Sequence, residues 1–99
     1  MKLFILTRRD LTASQRLVQS CHAVAELLKG GNPVGWNDTI VALGVKDEAH
    51  LRKWEVSLGD AKHSFATFCE PYFDDQTTSL AFVGTPPGLE TDLDRLRLL

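Results

Sequence analysis

Cysteine is scarce in this 99-residue sequence, which contains only Cys21 and Cys69. Two cysteines could form at most one disulfide, and a chain with 43% apolar residues can build a core without it. We therefore expect both thiols to be reduced. Cys21 precedes His22, but adjacent residues of a helix point about 100° apart, so the pair is not expected to act as a thiol–imidazole dyad.

Long hydrophobic runs and cofactor motifs are also missing. No apolar run approaches the roughly 20 residues of a membrane-spanning helix, and the first residues are too few for the hydrophobic part of a signal peptide. The sequence has no paired Cys-x-x-Cys, no His-Glu-x-x-His and no Gly-rich phosphate loop, and its three histidines lack ligand spacing. The expectation is a cytoplasmic protein without a metal or other cofactor and without membrane contact.

Positive charge is not in excess. Eleven Lys and Arg against thirteen Asp and Glu give a net charge of −2, which excludes a protein that coats nucleic acid by charge alone. Residues 1–37 nevertheless carry five bases and two acids, whereas residues 38–99 carry six bases and eleven acids. Any RNA contact is therefore expected to be local, and an ordinary solvated surface is the simpler alternative.

Length and apolar periodicity predict a single domain over residues 1–99. The alternation of strands and helices favours an α/β fold with three layers, α/β/α, and a mixed, mostly parallel four-stranded sheet. The predicted strands are 2–7, 39–45, 63–68 and 77–83, and the predicted helices run from Thr12 to Gly30, over 49–58 with Asp47 as cap and Gly59 as stop, and through a short tail segment containing Leu93 and Leu96.

The first predicted helix has two distinct faces. Thr12 and Gln15 fit a capping box at its start. An apolar stripe is expected to face the sheet, formed by Leu17, Val18, Cys21, Val24, Ala25 and Leu28. Spacing also places four polar residues on one ridge, which are Gln15, Gln19, His22 and Glu26. A solvated helix surface is the simplest interpretation of that ridge.

Basic residues cluster near the start of this helix. Arg8 and Arg9 follow the first strand, and Arg16 lies in the first helical turn. Free amides and the helix dipole attract anions at such a position, so the cluster favours a phosphate or carboxylate ligand. In open α/β sheets the ligand crevice lies outside the carboxyl ends of the strands, which is where these residues are expected.

The segment Glu70–Asp75 and the hydroxyl residues that follow it, Thr77, Thr78 and Ser79, form a second candidate region. A carboxylate near hydroxyls can orient water for hydrolysis. Turns contain the same residue types for local hydrogen-bonding reasons, so this segment alone does not define a site.

The segment Leu11–Ala23 resembles the first-helix motif of the type 2 peptidyl-tRNA hydrolases, Lys-x-Ala-x-Gln-x-x-His-Ala. Gln19, His22 and Ala23 match that motif, while Gln15 stands where the family has lysine. The order of the later elements is similar too, over residues 2–87. The resemblance implies metal-independent hydrolysis of the ester between a peptide and the 3′ ribose of tRNA, and a homodimer.

Carried over by position, the resemblance implies that Gln19 and His22 orient water or substrate. Thr78 is expected to contribute a hydroxyl, and Glu70 to act as base or orienting group. The family aspartate has no clean counterpart, and Asp74 and Asp75 are the other acids nearby. The expected substrate-binding residues are Arg8, Arg9, Gln15 and Arg16.

Two other functions are compatible with the sequence. Loss of the family lysine removes an ammonium that could stabilise negative charge, which favours a catalytically inactive module of the same fold that binds tRNA or another anion. The Leu-rich tail favours an interaction protein with no affinity for tRNA.

Overall fold

The computed structural model describes all residues from 1 to 99 and has an α/β fold. The elements in chain order are β1 (Leu3–Arg8), α1 (Ala13–Leu28), β2 (Ile40–Val45), α2 (Glu48–Asp60), β3 (Ala66–Glu70), a 3₁₀ turn (Pro71–Phe73), β4 (Gln76–Val83) and α3 (Glu90–Asp94). The predicted fold class is confirmed.

The four strands form one mixed sheet in the order β2-β1-β4-β3. β1 and β2 are parallel, whereas β4 is antiparallel to both β1 and β3. The expectation of a mostly parallel sheet is therefore wrong, although a mixed sheet was predicted. The short turn between β3 and β4 permits an antiparallel hairpin, because a parallel crossover needs a much longer connection.

Helices cover both faces of the sheet, which confirms the three layers. On one face, α2 buries Leu51, Trp54 and Leu58 against Leu6 and Phe82. On the other face, α1 lies over β1, β4 and β3, and a smaller cluster contains Leu3, Ile5, Ala23 and Ala81.

Both predicted helix caps are present. The Gln15 backbone N–H donates to Thr12 Oγ1 over 3.2 Å, and the Thr12 backbone N–H donates to Gln15 Oε1 over 2.9 Å. The His50 backbone N–H donates to Asp47 Oδ1 over 2.9 Å. Gly59 does not end α2, which continues through Asp60.

The orientation of α1 contradicts the prediction. Leu17 and Val18 of the apolar stripe are 67% and 49% exposed, and Cys21 is exposed as well. Three other residues of the helix are buried instead, namely Gln19, Ser20 and Ala23. The contact with the sheet therefore combines Gln19 of the polar ridge with Val24 of the apolar stripe, which packs against the smaller core cluster.

The sheet explains this orientation because it presents hydroxyl groups to α1 at one end. Thr7, Thr78 and Ser79 are completely buried there. Burying polar groups is costly only when their hydrogen bonds are lost, and no buried side-chain nitrogen or oxygen lacks a partner. At this end of the sheet, hydrogen bonds to α1 therefore provide the stabilisation that apolar contacts provide in the rest of the core.

The C-terminal tail covers part of the open edge of β2. Leu98 forms an antiparallel bridge with Leu43. The Gly44 N–H donates to the Arg97 carbonyl, and the Leu99 N–H donates to the Ala42 carbonyl, both over 2.9 Å. Pairing of this kind protects an otherwise exposed strand edge.

Candidate active site at the carboxyl end of the sheet

The predicted site residues meet at one end of the sheet. β1 and β3 are both antiparallel to β4, so their carboxyl ends lie at the same edge as the start of β4. The first turns of α1 reach this edge, as the connection after β1 requires. These residues therefore lie at the edge of the sheet where the sequence predicts the ligand crevice of an α/β fold.

Gln19 links β4 and β3 through its side-chain amide. Thr78 Oγ1 donates to Gln19 Oε1 over 2.6 Å, and Gln19 Nε2 donates to Glu70 Oε1 over 3.2 Å. A carboxylate can only accept, so Glu70 determines which end of the amide faces it. Gln19 is 3% exposed and Thr78 is fully buried, whereas Glu70 is only half-buried. Of these three hydrogen-bonded side chains, the Glu70 carboxylate is the one that solvent reaches.

A β-bulge directs Thr78 towards α1. The β3–β4 register shifts between Phe68 and Cys69, and Thr78 has no residue opposite it. Successive residues of a regular strand point to opposite faces, yet Thr78 and Ser79 both form hydrogen bonds on the α1 side of the sheet. Bulges commonly re-aim side chains in this way beside functional sites.

His22 lies one turn after Gln19 and stacks on Phe68. The ring centroids are 4.3 Å apart and the rings are within 9° of parallel. The Phe68 carbonyl also lies 3.4 Å from Thr78 Oγ1. The four predicted catalytic residues, Gln19, His22, Glu70 and Thr78, are therefore brought together around one point of β3.

A cluster of three buried hydroxyls beneath this group was missed. Thr7 Oγ1 lies 2.7 Å from both Ser20 Oγ and Ser79 Oγ, and Ser20 Oγ donates to the Arg16 carbonyl over 2.6 Å. Ser79 Oγ also donates to the Leu6 carbonyl over 3.1 Å, so the three hydroxyls contact one another and two backbone carbonyls. The signals in the sequence are Thr7, which ends the apolar run of β1, and Ser79 in the hydroxyl segment of β4.

Arg8 is held inside the protein by four hydrogen bonds. Its Nε and Nη2 donate to the two carboxylate oxygens of Asp10, each over 2.9 Å, and its Nη1 donates to Gln76 Oε1 and to the Thr77 carbonyl. The hydrogen bonds that Arg8 donates to Asp10 raise the pKa of Arg8 and lower the pKa of Asp10. One of five guanidinium N–H groups remains for a ligand.

The other predicted substrate-binding residues differ in how far their side chains are engaged in contacts within the protein. Arg9 Nη2 donates to the carbonyls of Arg97 and Leu98, so the Arg9 side chain binds the C-terminal tail. The Gln15 side chain takes part in the capping box. Arg16 is half-buried and forms no ion pair, which makes its guanidinium the most available positive charge beside the site.

The acid that faces the site is Glu70. Asp74 and Asp75 are exposed and both adopt positive φ, 52° and 58°, in the turn between β3 and β4. Aspartate tolerates this left-handed conformation better than most residues. The left-handed conformation of the turn therefore accounts for an aspartate at both positions.

No helix is long and apolar enough to cross a membrane. No group of three or more His, Cys, Asp and Glu side chains is arranged to hold a metal ion. Both cysteines are free.

No protein-family model matches the sequence, and no curated protein matches it. Among solved structures, the fold is similar to that of Atu0240 from Agrobacterium tumefaciens strain C58, a protein of unknown function. The TM-score is 0.75 at 13% sequence identity, over 99% of this chain and 96% of that one. The comparison shows a shared fold along the whole chain, and assignment to the type 2 peptidyl-tRNA hydrolases stays a prediction.

Proposed function

We propose that this protein hydrolyses the ester bond of peptidyl-tRNA, with the Glu70 carboxylate as the base that activates water. The observation that supports this most directly is the hydrogen-bonded chain from Thr78 through Gln19 to Glu70. It holds one carboxylate oxygen from inside the protein and leaves the other free to accept a proton. His22 lies one turn after Gln19 on α1 and stacks on Phe68, two residues before Glu70 on β3.

In the proposed reaction, Glu70 takes a proton from water while the water oxygen attacks the ester carbonyl carbon. The bond between that carbon and the ribose 3′ oxygen then breaks. A proton from His22 goes to the leaving oxygen, which becomes the 3′ hydroxyl of tRNA. The peptide leaves as a carboxylic acid, and the proton that Glu70 took from water passes to His22, so both groups are restored and the sum of the steps is addition of one water.

Gln19 and Thr78 act as positioning residues in this proposal. Both are almost completely shielded from solvent, so they reach a substrate only through Glu70. Arg16 beside the start of α1 supplies the contact with a tRNA phosphate, because its positive charge has no partner in the chain. We further propose that the outer N–H of Arg8 and the guanidinium of Arg9 extend this contact.

Release of a labelled N-acetyl-aminoacyl group from tRNA tests the proposal. We expect Glu70→Gln to lower kcat by about 10²- to 10⁴-fold, the usual contribution of a general base, and His22→Ala to lower it as well. Glu55→Gln is the matched control, because Glu55 is also half-buried but lies on α2, on the other side of the sheet. Unchanged turnover in Glu70→Gln would refute the assignment of the base.

A second candidate is a module that binds tRNA or another anion without cleaving it. The observation that favours it is the Gln15 side chain, which occupies the family lysine position and is engaged in the helix cap. Such a module would bind tRNA with a steep dependence on salt and release no labelled product. Loss of binding in Arg16→Gln would then locate the phosphate contact.

A further inference from the structure

A cavity of about 460 Å³ lies between α2 and α3, on the side of the sheet away from Glu70. Its volume is within the range of sites that bind small molecules. Its apolar residues are Trp54, Leu89 and Leu96, and its polar residues include Lys53 and Arg95. The proposed hydrolysis uses none of these residues.

The apolar wall of this cavity is held by the protein core. Trp54 is buried and stacks on Phe82, with ring centroids 6.5 Å apart and rings within 16° of parallel. Leu89 and Leu96 pack against the same core cluster. A ligand would therefore meet an apolar surface that is already formed, and little ordering would accompany its binding.

His50 is oriented towards the cavity by two contacts. Its backbone N–H is bound by Asp47, and its ring Nδ1 accepts the Lys46 backbone N–H over 3.0 Å. Because Nδ1 accepts, the neutral ring carries its proton on Nε2 and can donate it. His50 and Ser57 thus add two neutral donors to the cavity lining.

Positive charge around the cavity is unpaired. Neither Lys53 nor Arg95 forms an ion pair, and Asp92 is the single acid in the lining. Cations exceed acids by one, although the chain as a whole carries a charge of −2. This local excess matches a single negative charge, and a guanidinium fork suits the two oxygens of a carboxylate.

We propose that this cavity binds a small monocarboxylate with an aromatic or branched apolar body. The carboxylate lies between Arg95 and Lys53 and accepts the Nε2 proton of His50. The apolar body packs on Trp54, Leu89 and Leu96. The site is independent of the proposed hydrolysis, because it rests on other residues on the opposite side of the sheet.

Three probes separate the contributions to binding. Phenylacetate carries both the charge and the apolar body, phenylacetamide lacks the charge, and acetate lacks the apolar body. In a titration followed by ¹⁵N–¹H spectra, we expect phenylacetate to shift the Trp54 indole N–H and the amides of α2 and α3 in a saturable way. Phenylacetamide and acetate should each bind at least tenfold more weakly.

Two arginines of the tail provide a matched pair of variants. Both Arg95 and Arg97 are exposed, but only Arg95 lines the cavity. Arg95→Gln should weaken phenylacetate binding about tenfold, the usual scale for one charge-assisted hydrogen bond, and Arg97→Gln should not. Unchanged affinity in Arg95→Gln, equal affinity for the amide, or no saturable shift at millimolar phenylacetate would each overturn the proposal.

Discussion

Thr78 on β4 donates its hydroxyl proton to the side-chain oxygen of Gln19 on α1, and the two oxygens are 2.6 Å apart. This buried bond connects the sheet to the helix at the point where the candidate site lies. Because Gln19 in turn donates to Glu70, it also positions the carboxylate that we propose as the base. Stability and the proposed activity therefore depend on the same contact.

Replacement of Thr78 by valine should be destabilising. Valine keeps the shape of threonine but leaves the buried Gln19 oxygen without its donor, at a cost of about 1–3 kcal/mol. Urea denaturation followed by circular dichroism measures this loss. Thr78→Ser retains the hydroxyl and should keep most of the stability, whereas a larger loss in Thr78→Ser than in Thr78→Val would show that packing of the methyl group, and not the hydrogen bond, is what matters.

The Arg8–Asp10 pair should make stability depend on acid pH. Arg8 lowers the pKa of Asp10 in the folded protein, so the pair stabilises the fold above the unfolded pKa of about 4, and this contribution is lost as pH falls through the lower folded value. Asp10 is substantially exposed, which limits the expected effect to roughly 1 kcal/mol or less.

Asp10→Asn should therefore reduce the free energy of unfolding near neutral pH and have a smaller effect at the acid end of the titration. Urea denaturation of the two proteins across this pH range checks the difference. A loss that is equal at all pH values would mean that the ion pair is not its source.

Gly44 should be required for the tail to stay in place. A Cβ at this position would collide with the Arg9 side chain, whose guanidinium binds the Arg97 and Leu98 carbonyls. Arg9 is flexible enough to move away, so Gly44→Ala should release the tail at a modest cost in global stability, within about 1 kcal/mol. Faster amide exchange at Leu99, with slow exchange retained in β1, is the expected result, and unchanged protection of Leu99 would contradict it.

The homodimer expected from the family resemblance can be tested on the exposed side of α1. Leu17 and Val18 form an apolar ridge there, and Ile40 on the neighbouring strand β2 is 50% exposed. A two-fold axis would place the ridge of one chain on the β2 face of the other, so that each buries the other's apolar surface.

Leu17→Lys should then shift the sedimentation coefficient from dimer to monomer. Val56→Lys is the matched control, since Val56 is similarly exposed but lies on α2, on the far side of the sheet. A dimer that persists in Leu17→Lys would place the interface elsewhere, and a monomeric parent protein would refute the homodimer.

Much of this protein could be predicted from local sequence patterns. The capping box of Thr12 and Gln15, the cap at Asp47 and the apolar face of α2 depend on residues a few positions apart, so short-range rules were sufficient. The family motif also selected Gln19 and His22, and the similar order of the later elements pointed to Thr78 and Glu70. The fold brings these four residues together.

The tertiary structure alone decided which face of α1 is buried. Helical periodicity identifies an apolar stripe, but it does not reveal that Thr7, Thr78 and Ser79 form the surface opposite the helix. The bulge that turns Thr78 towards Gln19 arises from pairing between β3 and β4, and the pairing is a non-local property. Hydrogen bonds between distant segments, together with the packing of Ala23 and Val24 on the sheet, therefore set the orientation of α1 and the geometry of the site.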